Sequence, residues 1–325
     1  MNDTTQQGSA LFAANAQSVN NDFSGHAPLA RRLAALLYAQ EGKPIDCEAV
    51  RQCHTLIKQN TGVFSAFRGY MTLCMATLLS LSPNSQDMLN ETLKVYALLR
   101  DEKFFPSDLL VVAAYQIASR SNAFEYAKVV THIRAFYDCM KEQRFFHFGR
   151  DDYVFAAMLG LTGLDAVSEA SRIEELYVRL KGEFLDKDSV RTLVQVLVLG
   201  TQDDNTVYRV LSLKDALRAQ KVKLDKGYTL PLLGILALLP IDIDTIVRDI
   251  DETQAALRAE KGFGVLSVPK QELLLYVASL TAGKYIHNIR NRTLTATLST
   301  DITNIILVQQ AAMIAAISAS IAAAS

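Results

Sequence analysis

Three places bring carboxylates close enough along the chain to share a proton: Asp151-Asp152, Asp203-Asp204 and the run Asp249-Ile250-Asp251-Glu252. Such pairs can divide the general-acid and general-base roles when their surroundings push the two pKa values apart. Asp203-Asp204 opens like a prenyl-diphosphate magnesium site, but "DDNTV" lacks the next acid four places on. All three groups fall at predicted helix starts or on a charged helical face, where capping and solvation account for them. Cys47, Cys53 and His54 are soft metal-ligand types. On one helix, however, residues 47 and 54 lie about 10 Å apart along the axis. Zinc ligands must converge far more closely than that, so these three read as core residues.

Two cationic features remain. Arg68 stands in an otherwise apolar stretch, Phe64 to Leu81, and is followed by Gly69. A guanidinium there must find a carboxylate or several carbonyls, or it presents itself to an anionic ligand. The second feature, "GKYIHNIRNRT", gathers Lys284, His287, Arg290 and Arg292. It could hold a phosphate or a lipid headgroup, or form a solvated connector. These five residues are the candidates for ligand or partner binding. There is no GxSxG, HExxH, Walker loop or dinucleotide fingerprint. We therefore expect no catalytic set, no cofactor and no metal.

Composition narrows the class further. Lysine and arginine total 33 against 34 carboxylates, a formal net charge of −1, and half of the 325 residues are hydrophobic. A general nucleic-acid binder would carry a basic excess, so no nucleic acid is expected. Four cysteines, at 47, 53, 74 and 139, lack framework spacing and read as reduced thiols of a cytoplasmic protein. Residues 1–25, rich in Asn, Gln and Ser, read as a flexible leader without a signal-peptide pattern, with room for one short helix near Leu11.

The elements that must position these residues recur. "EKFFPSDLLVVAAYQIA" from Glu102 and "EQRFFHFGRDDYVFAAMLG" from Glu142 write nearly the same sentence 41 positions apart. Taking Phe64, Phe105, Phe146, Leu185, Tyr228 and Val265 as equivalent gives steps of 41, 41, 39, 43 and 37 residues. A recurrence of this length signals stacked supersecondary units. Each unit pairs a nearly all-apolar run, too long for a strand, with a segment whose apolar residues recur at three- and four-residue spacing, such as Ile173, Leu176, Tyr177 and Leu180. One pair cannot bury its apolar helix on both sides, but stacked pairs can. The expected fold is all-α, about seven helical hairpins in residues 26–325, arranged as an open α-solenoid or a closed toroid.

The hairpin series, the stretch "NTGVFSAFRG" from Asn60 to Gly69 and the terminal "QQAAMIAAISA" resemble an uncharacterised bacterial family catalogued as domain of unknown function 4003. The resemblance runs from about Leu33 to the end of the chain. It implies an all-helical bacterial protein; it brings no activity or substrate, and it assigns no role to Arg68.

After Asp301 no side chain is charged. Residues 301–325 form an Ala-rich terminal helix on this reading, and small residues let helices approach closely. Ala312, Ile314, Ala315, Ala316 and Ala319 are the candidate interface. The segment could close the stack, meet a second copy or partner, or enter a membrane, the last disfavoured by Gln309 and Gln310. The leading functional expectation is a non-catalytic helical-repeat scaffold for a protein partner or homo-oligomer. The alternatives are a toroidal enzyme or binder of an apolar or anionic small molecule, with residues such as Arg68, His147, Asp151, Asp152, Tyr153 and Asp203 converging centrally, and a peripheral membrane protein held by its tail.

Overall fold

A computed structural model describes residues 3–142, 149, 152–200 and 205–290. Among these the protein is all-α: α1 (Asp3–Asp22), α2 (Pro28–Gln40), α3 (Cys47–Asn60), α4 (Thr72–Ser80), α5 (Ser85–Asp101), α6 (Asp108–Ala118), α7 (Tyr126–Glu142), α8 (Tyr153–Thr162), α9 (Ala166–Leu180), α10 (Lys187–Gly200), α11 (Thr206–Ala219), α12 (Leu230–Leu238), α13 (Ile243–Ala259) and α14 (Lys270–Arg290). No strand occurs among the described residues. They fall into two compact units, residues 14–170 and residues 1–13 with 171 onward.

Two kinds of helix alternate within each unit. In the unit of residues 14–170, α6 is buried at every position from Leu109 to Ala118, and α8 from Tyr153 to Gly160. Against them stand α5, which buries Leu89, Thr92, Val95 and Leu99, and α7, which buries Tyr126, Val130, Ile133, Phe136, Tyr137 and Met140. Those spacings trace one face of a helix, and the other face is polar. The buried helices pack on one another, α2 on α4 and α6 on α8, while the two-faced helices pack α3 on α5 and α5 on α7. The second unit repeats the pattern: α10, α12 and α14 pack in sequence, and α11 packs on α13. Fully burying one Leu or Phe side chain contributes about 1.5–3 kcal/mol, so the apolar helices dominate stability.

One detail departs from expectation. Five two-faced helices pack most closely against the buried helix that follows them, α3 on α4, α5 on α6, α7 on α8, α11 on α12 and α13 on α14. The reading from periodicity paired each buried helix with the two-faced helix after it. The segments after α3, α5, α9 and α13 each carry a buried phenylalanine, Phe67, Phe104, Phe184 and Phe263.

The leader reading needs correction. Residues 3–22 form a helix, and Phe12 is fully buried, its ring centroid 5.1 Å from those of Phe263 and Tyr276. Farther along, buried Asn15 accepts from the Ile45 amide at 2.8 Å and donates to the Lys43 carbonyl at 3.0 Å. The polar composition that suggested looseness includes a side chain that holds the helix in place.

Candidate functional site

The turns that follow α5, α11 and α13 share a construction. After α5 the chain enters the left-handed region at Lys103, φ 63°. The Phe104 amide returns to the Leu99 carbonyl at 3.1 Å and the Lys103 amide to Arg100 at 3.0 Å. That is a Schellman ending, which satisfies the last helical carbonyls. After α11 the same bonds recur: Val222 to Leu217 at 3.0 Å and Lys221 to Arg218 at 2.9 Å, with Lys221 at φ 59°. After α13 the left-handed position is Gly262, φ 90°.

An arginine in the last turn of each helix then folds into its own turn. Arg100 donates to the Phe104 carbonyl, Arg218 pairs with Asp225, and Arg258 donates to the carbonyls of Phe263 and Val268 at 2.8 and 2.9 Å. Cations at these places oppose the negative end of the helix dipole, and here they also clamp the turn. Arg68 does the same from the far side of its turn. Its guanidinium donates to the carbonyls of Lys58 and Thr61 and to Thr61 Oγ1 at 3.3 Å, closing the C-terminal end of α3. The leading single candidate is thus engaged in a helix cap.

In four of the turns that follow two-faced helices, one large side chain points in and another nearby points out. Phe67, Phe104, Phe184 and Phe263 are no more than 6 % exposed, whereas Phe64, Phe105, Leu185 and Val265 are at least 59 % exposed. Val63 and Leu266 join the exposed set. Phe104 is held edge-on between Tyr137 and Tyr153, centroids 5.2 and 5.1 Å away, with the Arg134 guanidinium 5.4 Å above its ring. Phe184 has the buried Lys214 ammonium 5.3 Å above it. The outward residues are four of the six that sequence aligned as equivalent. Of the other two, Tyr228 is half-buried, and Phe146 lies outside the described residues.

Neighbouring turns are stitched together. In the unit of residues 14–170, Asp108 reaches back from the start of α6 and accepts from the amides of Tyr70 at 2.7 Å and Met71 at 3.3 Å. Burial pushes its carboxyl above the usual range, and the two amides oppose that shift. The Phe105 amide donates to Tyr153 Oη at 3.2 Å, tying the next turn to α8. In the other unit, Gln271 donates to Thr229 Oγ1 at 2.6 Å and to the Lys226 carbonyl at 3.1 Å, and Lys270 reaches the Lys221 carbonyl at 3.2 Å. Each unit therefore has an edge of rigid turns from which apolar side chains project into solvent.

The remaining polar candidates are engaged elsewhere. Lys284 points inward to Asp249, itself 2 % exposed, and donates to Thr5 Oγ1 at 3.3 Å; Tyr285 donates to the same Asp249 oxygen at 2.6 Å. Burial and the Asp249 carboxylate push the Tyr285 phenol far up. This clasp joins α1, α13 and α14. Sequence reasoning had read Asp249 as solvated, although its spacing from Ile246, Ile250 and Thr253 puts it on the buried stripe. His287 and Arg290 lie on the last turns of α14, and Arg292 lies outside the described residues, as do His147, Asp151, Asp203, Ala312, Ile314, Ala315, Ala316 and Ala319. Asp152 accepts from the Gly149 amide at 2.8 Å, and Tyr153 packs in the aromatic cluster described above. Burial pushes the Cys47 and Cys74 thiols up to about 12. No group of three or more His, Cys, Asp or Glu placed to hold a metal occurs among the described residues, and none of the described helices is long and apolar enough to cross a membrane.

Comparison with known proteins adds a partial likeness. A 103-residue stretch is 30 % identical to the pyruvate dehydrogenase E1 component subunit beta of Mesostigma viride, covering 31 % of this chain and 32 % of that protein. The likeness thus spans about a third of that relative's length, and the activity in its name is said of that protein alone. No solved structure matches. The model of the family described as "Protein of unknown function (DUF4003)" matches residues 16–311, most of the chain, and this protein belongs to that family.

Proposed function

We propose that this chain is a non-catalytic helical-repeat binding protein. On this reading its turn edges receive a protein partner, a second copy of the chain included. The carrying observation is the in-and-out pairing at recurrent positions: Phe67, Phe104, Phe184 and Phe263 anchor the turns while Phe64, Phe105, Leu185 and Val265 project from them. Exposed apolar residues scattered singly are ordinary. Here the four stand at equivalent places, and the turns of Phe64, Phe105 and Val265 are held by the clamps of Arg68, Arg100 and Arg258 and stitched to their neighbours. A preorganised apolar contact loses little conformational entropy on binding. The order in which buried and two-faced helices pack within each unit supports the repeat. Four free cysteines favour the cytoplasm.

The test replaces Phe64, Phe105, Leu185 and Leu266 together by serine. Proteins co-isolated from source cells with the natural and the variant chain are quantified side by side. The reading expects a discrete partner, or the untagged chain itself, to fall at least about tenfold, the equivalent of ~1.4 kcal/mol, with the unfolding midpoint unchanged. An identical set of proteins at identical yield would overturn it.

A further inference from the structure

In the unit of residues 1–13 and 171 onward, a cleft of about 450 Å³ lies between the first turn of α11 and the end of α12. Small-molecule sites run from roughly 300 to 1,000 Å³ and are mostly apolar, with a few placed polar groups. This cleft fits that description. Leu238, Pro240 and Ile243 supply apolar lining, Tyr208 is 76 % exposed at its margin, and Arg209 is the cation among the lining residues.

Arg209 is held as a fixed fork. Its Nε donates to the Ala237 carbonyl at 2.6 Å, and its Nη2 donates to Leu239 at 2.6 Å and to Ile241. Those bonds cap α12 and leave Nη1 without a hydrogen bond among the described residues. A guanidinium already immobilised by three carbonyls binds an acceptor with little further loss of side-chain freedom. The adjacent carboxylate, Asp242, is turned onto the Thr245 amide at 2.8 Å, where it caps α13. At ~30 Å³ per water-sized volume the space corresponds to about fifteen waters, which suits a molecule of ten to fifteen heavy atoms.

We propose that this cleft binds a small carboxylic acid with an apolar body, the body lying along Leu238, Pro240 and Ile243 beside the Tyr208 ring and the carboxylate accepting from Arg209 Nη1. A charge-assisted bond of this kind is roughly twice as strong as a neutral one. The site is independent of the turn edges and does not rest on the binding role proposed for them.

Sodium octanoate is the probe, titrated calorimetrically into the full chain. The natural protein is expected to bind one octanoate saturably at millimolar concentration or below. Ile243→Trp, which fills the cleft from its rim, should weaken binding about tenfold, and Tyr208→Ser about threefold, each fold-change read as a ratio of Kd. Octanol, with the same body and no charge, should bind about tenfold more weakly than octanoate. The serine variant of the turn edges should bind octanoate unchanged. Tyr208 is exposed and Ile243 half-buried, so both variants should keep the natural unfolding midpoint. Should Ile243→Trp lose that midpoint, Tyr208→Ser and the octanol comparison decide. The proposal is overturned by any of three results: no saturable binding, equal affinity of octanol and octanoate, or binding lost with the turn edges instead of the cleft.

Discussion

Alanine in place of Gly69 should destabilise the protein, against the usual direction for that change. The backbone at Gly69 has φ −78° and ψ −158°, extended geometry open to any residue. On conformational entropy alone, alanine there would stabilise by about 0.4–1 kcal/mol. The obstacle is steric. A Cβ on residue 69 would lie 2.0 Å from Asp108 Oδ1 and 2.7 Å from its Cγ. Asp108 cannot step aside freely, because its carboxylate accepts from the amides of Tyr70 and Met71. Either the turn shifts, at about 1–3 kcal/mol for overpacking, or the carboxylate rotates away and loses charge-assisted bonds worth about 1.5–3 kcal/mol. The net expectation for Gly69→Ala is a loss of about 2 kcal/mol. Asp108→Ala should be costly by itself, but in its presence Gly69→Ala should cost about nothing, since the clashing atoms are gone. The assay is urea unfolding of the four proteins of the cycle, followed by circular dichroism. The expected coupling is about 2 kcal/mol, well above the ~0.5 kcal/mol within which independent changes add. Additive losses, or a stabilised Gly69→Ala single variant, would refute the stitching of adjacent turns through Asp108.

Three further outcomes follow from the same geometry. Lys103→Gly and Lys221→Gly, at φ 63° and 59°, should each raise stability by about 0.5–1 kcal/mol by relieving left-handed strain; a loss in urea unfolding would show that the lysines matter in some other way. Lys284→Met takes the buried ammonium from Asp249, leaving it the Tyr285 phenol and the exposed Arg248 at 3.8 Å, and should cost about 3 kcal/mol, most of which Asp249→Leu in the same chain should restore; a double variant no better than the single would contradict the clasp. His26 and His54 touch edge-on, ring centroids 5.4 Å apart, and burial, with Lys58 nearby, holds both below the ordinary histidine range. Their folded pKa values lie under 6.5, so the unfolded chain binds more protons between the two values. Stability should therefore fall as pH drops below 6.5, and His26→Gln with His54→Gln should flatten that dependence; an unchanged slope would assign the acid sensitivity to other groups.

Much of the fold is legible because single elements declare themselves. "DLLVVAAYQIA" has no polar face to offer water and becomes α6; Leu89, Thr92, Val95 and Leu99 mark the stripe of α5. Caps follow local rules too: Ser107 accepts from the Leu110 amide at 3.1 Å and Asp242 from Thr245 at 2.8 Å, each typically worth ~1 kcal/mol. What could not be read depends on partners distant in sequence. Phe104 and Phe105 are the same residue type side by side, and it is Phe104 that packs against the distant Tyr137 and Tyr153. Arg68 gives no sign that its acceptors are the end of the preceding helix. Asn15 looks like surface until Lys43 and Ile45 come to meet it. Asp249 could have been found, since its spacing places it on the stripe; its acidity argued the other way, and Lys284 resolved the conflict.

The binding role proposed for the turn edges is tested most directly by placing a photo-crosslinking phenylalanine analogue, one position at a time, at residues 64, 105, 185 and 266 in source cells. Lys94 and Asp215, exposed on two-faced helices with side chains 64 % and 72 % accessible, serve as controls. The account predicts that the four turn positions crosslink to one discrete protein, or to a second copy of the chain, and that the controls do not. Equal crosslinking at turns and controls, or none at any turn, would contradict it.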